Sequence, residues 1–434
     1  MKIDLKKKIK NAKEFIISII YFFRQSGKFL SKTKSTQLGG NLDPFYLAGV
    51  LEIYDRIKNK KITANFLLIT IPLVFYAILQ LLVIKEIVIS KLIINVAKII
   101  ICILTMLYVK EHIKEIDIYK VAKISTVFMG IFLVISLILK DNDILWRFND
   151  LVNKYNTTRL QFTYLEPSEL GFHVSILLII LISYLFIVKS KREIIINIIC
   201  IATNLLVLYF ARPFGSIVIL AVAIVAMFFW NLIKRFNKKK LILYFFLLII
   251  GLMLIVLMYY FKSPIIMRAI DTINGKDSSN NYRVNLSLEI LATSFKDYNY
   301  MGCGFGNLNT NNFRLAHTGS GIAEVLANSF IYFIIEGGIF SVVFLLVLIS
   351  YLIKHAFKEY SLVKVGLLVF LVAYQIFGGH FTSGLTWALY GIIISTWTEN
   401  STSLNMKEDE KKWKIYCTYM QEQNYMEQIL YYWI

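Results

Sequence analysis

Residues 62–84 read ITANFLLITIPLVFYAILQLLVI, a run of 23 residues without a charged side chain. An α-helix rises about 1.5 Å per residue, so a run of this length crosses the roughly 30 Å hydrocarbon core of a bilayer. Nine or ten such runs occur in the 434 residues, near 62–84, 87–109, 121–139, 170–188, 194–211, 215–233, 241–261, 338–353, 362–378 and 384–397. The sequence therefore predicts an all-α, polytopic integral membrane protein with about 10 transmembrane helices.

The composition agrees with this class. Hydrophobic residues make up 57% of the chain, charged residues 17%, and the mean hydropathy is +0.62. Soluble domains average about 45–50% apolar and about 25% charged residues. Ordinary globular, disordered and disulfide-scaffold classes are excluded.

The formal net charge of +19 indicates the orientation. With the N-terminus inside, 33 Lys and Arg residues fall in cytoplasmic segments and 12 in outer ones, as the positive-inside rule requires. This predicts a basic cytoplasmic segment over 1–61 with an interfacial helix near Phe15–Phe23, a membrane domain over 62–397, and a cytoplasmic tail over 398–434. Because the topology bias accounts for the positive surplus, no nucleic-acid partner is expected.

Two of the predicted outer connections are long, near 140–169 and 262–320. Pro167, Pro213 and Pro264 stand at span boundaries on the same face, where proline ends helices and fixes irregular backbone. Long connections in a compact protein are usually functional or disordered. We therefore expect the chemistry on the outer face, the alternative being that these segments are only tethers.

Familiar cofactor and metal motifs are absent from the sequence. No CxxC, HExxH or GxxxxGK[ST] pattern occurs. The string GCGFGN (Gly302–Asn307) does not follow a predicted strand and is interpreted as a tight turn in the long loop. The four cysteines are distributed over two spans, the outer loop and the inner tail, so no disulfide is expected. Neither a metal nor a cofactor is predicted.

Ionisable residues gather instead at the outer ends of the spans. They are Arg159, Glu166, Arg212, Arg283, Arg314, His317 and Glu336. A guanidinium group is always charged and binds phosphate through two parallel hydrogen bonds, so converging arginines suit a diphosphate group. A histidine nearby can take a proton from an attacking hydroxyl. Each arginine alone also fits a side chain that reaches from the boundary to lipid headgroups.

Three stretches in order resemble the membrane polysaccharide polymerases of the Wzy type and their relatives, the O-antigen ligases. TYLEPSELG (163–171) resembles a Glu-Pro-Ser element that precedes a span in capsule and exopolysaccharide polymerases, and YFARPFGSIVIL (209–220) resembles a span–Arg–span junction. The third stretch is RVNLSLEILATSFKDYNYMGCGFGNLN (283–309), followed by HTGSGIAEVLANSFIYFIIEGGIF (317–340). It resembles an Arg-initiated helix, a glycine turn and a His-headed helix that ends in Glu-Gly-Gly.

The resemblance implies a fold like that of the GT-C glycosyltransferases and a metal-independent glycosyl transfer outside the bacterial cytoplasmic membrane. The donor would be a growing glycan on a polyprenyl diphosphate, and the acceptor a sugar hydroxyl of the next lipid-linked repeat unit. Arg212 and Arg283 would hold the diphosphate, His317 would be the general base, and Glu166 would orient the base or the acceptor. Attack opposite the leaving group implies inversion at the anomeric carbon.

The remaining residues of the set are less specific. Arg159 would serve either substrate, and Arg314 and Glu336 would add to substrate binding. Membrane lipid, chain-length regulators and flippases are the further partners that the resemblance implies.

Three other functions stay open. A ligase-like transferase would move finished glycan to a different acceptor, although the Glu-Pro-Ser element and Thr318 favour a polymerase. A flippase or transporter for lipid-linked oligosaccharide would show internal repeats and charge in mid-membrane, whereas here no repeat is visible and the charge lies at the outer boundary. A purely structural membrane subunit would leave the arginines without a purpose.

Overall fold

The architecture is that of a computed structural model, which describes residues 14, 16–18, 43–59, 64–148, 158–164, 166–277, 281–309, 328–379 and 381–398. Thirteen helices of at least 10 residues are described in this part of the chain: α1 Tyr46–Asn59, α2 Ala64–Val83, α3 Ile89–His112, α4 Ile118–Ile138, α5 Pro167–Leu185, α6 Lys191–Ala211, α7 Phe214–Lys234, α8 Lys238–Tyr260, α9 Pro264–Ile273, α10 Ser287–Asp297, α11 Ser329–Lys358, α12 Leu362–Phe377 and α13 Gly384–Ile394. A short antiparallel hairpin joins β1 (Trp146–Arg147) to β2 (Arg159–Leu160).

The all-α, polytopic membrane class is confirmed. Among the residues that the structure describes, seven helices are long and apolar enough to span a bilayer, and an eighth span is added if α8 and α9, which bend by 92°, count as one. The sequence-based number of about ten includes α12 and α13 as well. These two helices are apolar but have only 16 and 11 residues, fewer than the roughly 20 that a full crossing needs.

Several helix starts follow from their capping side chains. Asp117 accepts hydrogen bonds from the backbone N–H groups of Tyr119 and Lys120 at the start of α4. Asn328, Ser361 and Ser383 cap α11, α12 and α13 in the same way. A side-chain oxygen at this position satisfies an N–H group that has no partner within the helix.

The interior of the bundle is formed by α3, α5, α12 and α13, with α7 against α12. Small residues allow the close approaches that stabilise helix pairs in membranes. A Cβ added to Gly366 of α12 would lie 2.6 Å from the Met227 sulfur of α7. A Cβ on Gly391 of α13 would lie 2.6 Å from the Met106 carbonyl oxygen of α3.

Helix α1 lies along α3, although the sequence analysis places it in the cytoplasmic segment. A Cβ on its Gly49 would lie 2.6 Å from the Ile101 carbonyl oxygen, in the middle of α3. The Tyr46 hydroxyl donates to the Thr382 carbonyl in the α12–α13 connection. The interfacial helix predicted near Phe15–Phe23 lies mostly outside the described residues, as does the tail from 399 onward.

The long connection between α8 and α11 carries regular structure. The Arg-initiated helix that the resemblance implies from Arg283 onward is present as a π-helical turn, Tyr282–Leu286, that continues into α10. The GCGFGN string forms the predicted tight turn, hereafter the glycine turn (residues 300–307). Its Gly302, Gly304 and Gly306 have φ angles of 77°, 95° and 81°, which residues with a Cβ adopt only at a cost.

The glycine turn forms backbone hydrogen bonds with residues on both sides of a break in α11. Gly338 has φ 56° and ψ −142°, so the hydrogen-bonded ladder of α11 is interrupted there. The Cys303 and Gly304 N–H groups donate to the carbonyls of Ile335 and Glu336, at 2.9 and 3.0 Å. The Ile339 N–H donates to Tyr300 O at 2.9 Å. The turn therefore satisfies the backbone groups that the break exposes.

Candidate functional site

The candidate site lies where α6 meets α7, at the end of the bundle hereafter called the Arg212 end. Arg212 follows the last residue of α6 and has φ 48° and ψ 48°, the left-handed conformation. Its N–H donates to Leu208 O at 2.8 Å, and Pro213 then leads into α7. A residue other than glycine in this conformation costs about 1–2 kcal/mol, so the surrounding structure must hold Arg212 there.

Arg159 supplies part of that support. It stands on β2, and its Nε and one terminal nitrogen donate to the carbonyls of Ala211 (3.0 Å) and Arg212 (3.1 Å). These carbonyls belong to the C-terminal end of α6, where a cation is favoured by the helix dipole. Arg159 thus fixes the backbone that carries Arg212.

The charge around Arg159 is predominantly positive. Burial, and then the neighbouring charges of Arg268 and Arg147, lower the pKa of Arg159 to about 10. Glu166 raises the pKa, and Arg212 lowers it. The guanidinium group stays protonated at neutral pH, at a point where several positive charges meet.

The Glu-Pro-Ser element packs directly against this junction. A Cβ on Gly171 of α5 would lie 2.4 Å from the Pro213 ring, so glycine is needed there. The Ser168 carbonyl oxygen lies 3.5 Å from both the Ser216 hydroxyl of α7 and the Tyr374 hydroxyl of α12. Glu166, immediately before α5, is exposed, and its carboxylate accepts a hydrogen bond from the Ser168 hydroxyl at 2.8 Å.

Arg283 joins the same end of the bundle through α12. Its guanidinium donates to the Phe377 carbonyl at 2.6 Å, at the last residue of α12. A Cβ on the next residue, Gly378, would lie 3.3 Å from this guanidinium and 3.8 Å from the Tyr374 ring. Since Tyr374 also reaches Ser168, the residue that opens the third sequence element is linked to the first two.

Arginine is in excess over carboxylate at this end. Arg268 of α9 pairs with Asp277 at 2.8 Å and stands 5.6 Å from the centre of the Phe214 ring. In the described part of the chain, neither Arg212 nor Arg283 forms an ion pair with an acidic side chain. Among the described residues, no carboxylate therefore competes with an anion for these two guanidinium groups.

Glu336 lies in a different place. It is 3% exposed within α11, next to the break, and its carboxylate accepts from the Asn95 side chain of α3 at 3.3 Å. Its carbonyl accepts from the Gln80 side chain of α2 at 2.9 Å. The groups around Glu336 that the structure describes belong to α2, α3, the glycine turn with Leu308, and Tyr332 of α11 itself, and they include none of the arginines.

Arg314 and His317, the general base predicted from the sequence, lie outside the described residues. Within the ranges that the structure does describe, no group of three or more His, Cys, Asp and Glu side chains is arranged to hold a metal ion.

No sequence pattern predicted that Tyr374, Ser216 or Arg268 belongs to the site. Tyr374 and Ser216 sit within apolar runs, and neither carries a local pattern that indicates contact with another helix. Arg268 was counted only as an outer positive charge. The amphipathic spacing of the residues after Pro264 is the sequence feature that could have indicated α9, the helix that carries Arg268.

No protein-family model matches the sequence, and no curated protein is significantly similar to it.

Proposed function

We propose that this chain polymerises lipid-linked oligosaccharide repeat units on the outer face of the bacterial cytoplasmic membrane. The growing glycan would be transferred from a polyprenyl diphosphate to a sugar hydroxyl of the next repeat unit, without a metal. The observation that carries this proposal is Arg212. Its backbone is strained, Arg159 fixes it, and it has no carboxylate partner in the described part of the chain.

Arg212 and Arg283 are assigned to the diphosphate leaving group. As the glycosidic bond breaks, negative charge grows on the diphosphate, and preorganised cations stabilise that charge without reorganising. Arg159 is a positioning residue, because its hydrogen bonds go to the backbone of the α6–α7 junction. Arg268 and Arg147 strengthen the positive field around it.

The acceptor side of the proposal rests on the sequence. His317 would remove the proton of the attacking hydroxyl, and Arg314 would contribute to substrate binding. Glu166 is exposed beside the arginines and is free to orient the base or the acceptor. For Glu336 we propose an indirect role, in which it holds the glycine turn and the α11 break in register.

The sharpest test is Arg212→Gly. Glycine adopts the left-handed conformation without strain, so the free energy of unfolding should stay the same or rise by up to about 1 kcal/mol. The rate of polymer formation should fall about 100–1000-fold, the effect of removing one preorganised group that stabilises transition-state charge. Rates are measured in membranes supplied with lipid-linked repeat units, with polymer length read on gels.

Lys262→Gly is the matched control. Lys262 is an exposed cation with φ 49° at the α8–α9 bend, so this variant also relieves left-handed strain and removes a positive charge. Its activity should match that of the unmodified protein. Wild-type polymerisation by Arg212→Gly, by Arg283→Ala or by His317→Ala would refute the assignments, and loss of activity with a chelator would refute metal independence.

The same assay separates the other functions. Transfer of a finished glycan to a different acceptor without elongation indicates a ligase-like enzyme. Passage of lipid-linked oligosaccharide across liposomes without glycosidic bond formation indicates a flippase.

The orientation is part of the proposal: the Arg212 end faces outward, about ten segments cross or enter the membrane, and both termini are cytoplasmic. The distribution of Lys and Arg supports it. Ile273 of α9 is 84% exposed, so Ile273→Cys should react with a membrane-impermeant maleimide added to intact cells. Reaction only after the membrane is opened would reverse the orientation.

A further inference from the structure

An open apolar groove runs between α4 and α6, with a volume of about 580 Å³, within the range of small-molecule sites. It is lined by Val127, Gly130, Ile131, Leu133, Val134, Ile135, Thr203 and Leu206. Along both helices these residues lie in the half nearer to the Arg212 end or in the middle. The groove therefore extends from the middle of the two helices toward the Arg212 end.

The groove offers hydrocarbon contact and no hydrogen bonds. Gly130 leaves the space that forms its floor, and a Cβ there would meet the Thr203 methyl group at 3.4 Å. Thr203 is the polar residue of the lining, and its hydroxyl donates to Ile199 O within α6 at 2.9 Å. Val127 and Val134 are each 57% exposed. The surface can contact an aliphatic chain but offers no hydrogen bond to a polar ligand.

The groove leads toward the arginines. Leu206 precedes Arg212 by six residues, about 9 Å along the helix axis. Between them, Phe210 packs edge-on against Trp146 of β1, with ring centroids 6.1 Å apart. Arg147 is the next residue of β1 and pairs across the hairpin with Arg159. A chain lying in the groove thus ends at a boundary where positive charge is concentrated.

We propose that this groove holds the isoprenoid units nearest to the diphosphate of the polyprenyl diphosphate donor. This inference rests on the proposed function. The charge complementarity between the arginines and a diphosphate selects the occupant, because an aliphatic chain alone would fit equally well anywhere on the lipid-facing surface. Holding the chain beside α6 would position the diphosphate at Arg212.

The test uses a polyprenyl diphosphate that carries a diazirine in the isoprene units next to the diphosphate. After photolysis of the full-length protein in nanodiscs, mass spectrometry should find the label on the peptides of α4 and α6 that line the groove. A phosphatidylglycerol with a diazirine in its acyl chain is the comparison probe. Equal labelling of the groove by both probes would show a general lipid surface and overturn the proposal.

Val134→Trp tests the same point by filling the groove from its exposed rim. Labelling of the groove peptides should fall, because the indole ring occupies the space that the isoprenoid chain would fill. Val222→Trp on α7, 53% exposed and away from the groove, is the matched control and should label normally. Gly130→Leu fills the floor instead, with Gly251→Leu as its control, because a Cβ on Gly251 meets nothing within 4 Å.

The outcomes distinguish a wrong groove assignment from a wrong proposed function. If the probe labels other helices while Arg212→Gly still abolishes polymerisation, the groove assignment is wrong and the proposed function stands. If the probe labels the groove while the unmodified protein forms no polymer from lipid-linked repeat units, the chain has a polyprenyl site but the proposed function falls.

Discussion

Gln80 should be one of the most costly polar residues of the membrane domain to replace. It is 0% exposed on α2. Its side-chain nitrogen donates to the carbonyls of Met301 and Glu336, both at 2.9 Å, and its oxygen accepts from the Phe305 N–H at 3.3 Å. A single side chain thus serves the glycine turn on one side and the α11 break on the other.

The cost of Gln80→Met can be worked out group by group. Met301 O also accepts from the Tyr76 hydroxyl, and Glu336 O also accepts from the Gly304 N–H, so both carbonyls keep a partner. Each of these two lost bonds costs about 0.6 kcal/mol, the average for hydrogen bonds between membrane helices. The Phe305 N–H loses its acceptor while buried, which costs about 1–3 kcal/mol. The expected loss of unfolding free energy is about 2–4 kcal/mol.

The assay is reversible unfolding of the protein in mixed micelles by increasing the fraction of SDS, followed by tryptophan fluorescence. Leu82→Met is the control on the same helix: Leu82 is 78% exposed, and the change should stay within about 0.5 kcal/mol. Tyr76→Phe removes only a shared donor and should cost about 0.6 kcal/mol. If Gln80→Met cost no more than Tyr76→Phe, the reasoning from the unpaired N–H would be refuted.

Three further predictions concern the glycine turn and the arginines. Gly302→Ala should lower the unfolding free energy by about 3 kcal/mol or more, because φ is 77° and the new Cβ would lie 2.5 Å from backbone of the α11 break. In the same SDS titration, Gly251→Ala in the interior of α8 should instead raise it by up to about 1 kcal/mol. Inorganic pyrophosphate at ten times its Kd should stabilise the protein by about 1.4 kcal/mol in a thermal unfolding assay, and Arg212→Gly should abolish that gain. Burial, and then the charge of Glu336, hold the pKa of the Cys303 thiol well above its ordinary value, so a methanethiosulfonate reagent should leave the Cys303 peptide unmodified until SDS unfolds the chain. A cysteine at the exposed position of Ile273→Cys should react at once, and equally fast modification of Cys303 would contradict its burial.

The membrane helices were predictable because their cause is local. Length and hydropathy locate each span, and side chains such as Asp117 and Ser361 mark where helices begin. The predicted stretch 362–378 agrees with α12 to one residue, whereas the predicted stretch 384–397 continues three residues past Ile394, where α13 ends. Hydropathy does not register where the backbone stops being helical.

The candidate site was predictable only in part. Charge at a span boundary singled out Arg159, Arg212 and Arg283, and the structure links them through Ser168 and Tyr374. Their different roles depend on the partners that each guanidinium group contacts in three dimensions, and no local sequence pattern indicates those partners. Arg159 serves the backbone while Arg212 has no carboxylate partner among the described residues, and both look alike in the sequence.

The role of Glu336, in contrast, could not be assigned from its position in the sequence. A carboxylate beside Gly-Gly at the end of a span suits a substrate contact as well as a helix break. The distinction came from Asn95 and Gln80, polar residues within long apolar runs on other helices. Their partners lie more than 200 positions away in the chain, beyond the reach of any periodicity.

The lock between the glycine turn and the α11 break has a consequence for how such a chain can diversify. Leu308, just before the segment 310–327, and Ile331, just after it, belong to one small hydrophobic cluster. The segment, which contains Arg314 and His317, therefore departs from and returns to a single anchored point. Under the proposed function, we expect changes within this segment to alter substrate preference while the membrane architecture at its two ends stays the same. A chimaera that exchanges only this segment would transfer the one while leaving the other intact.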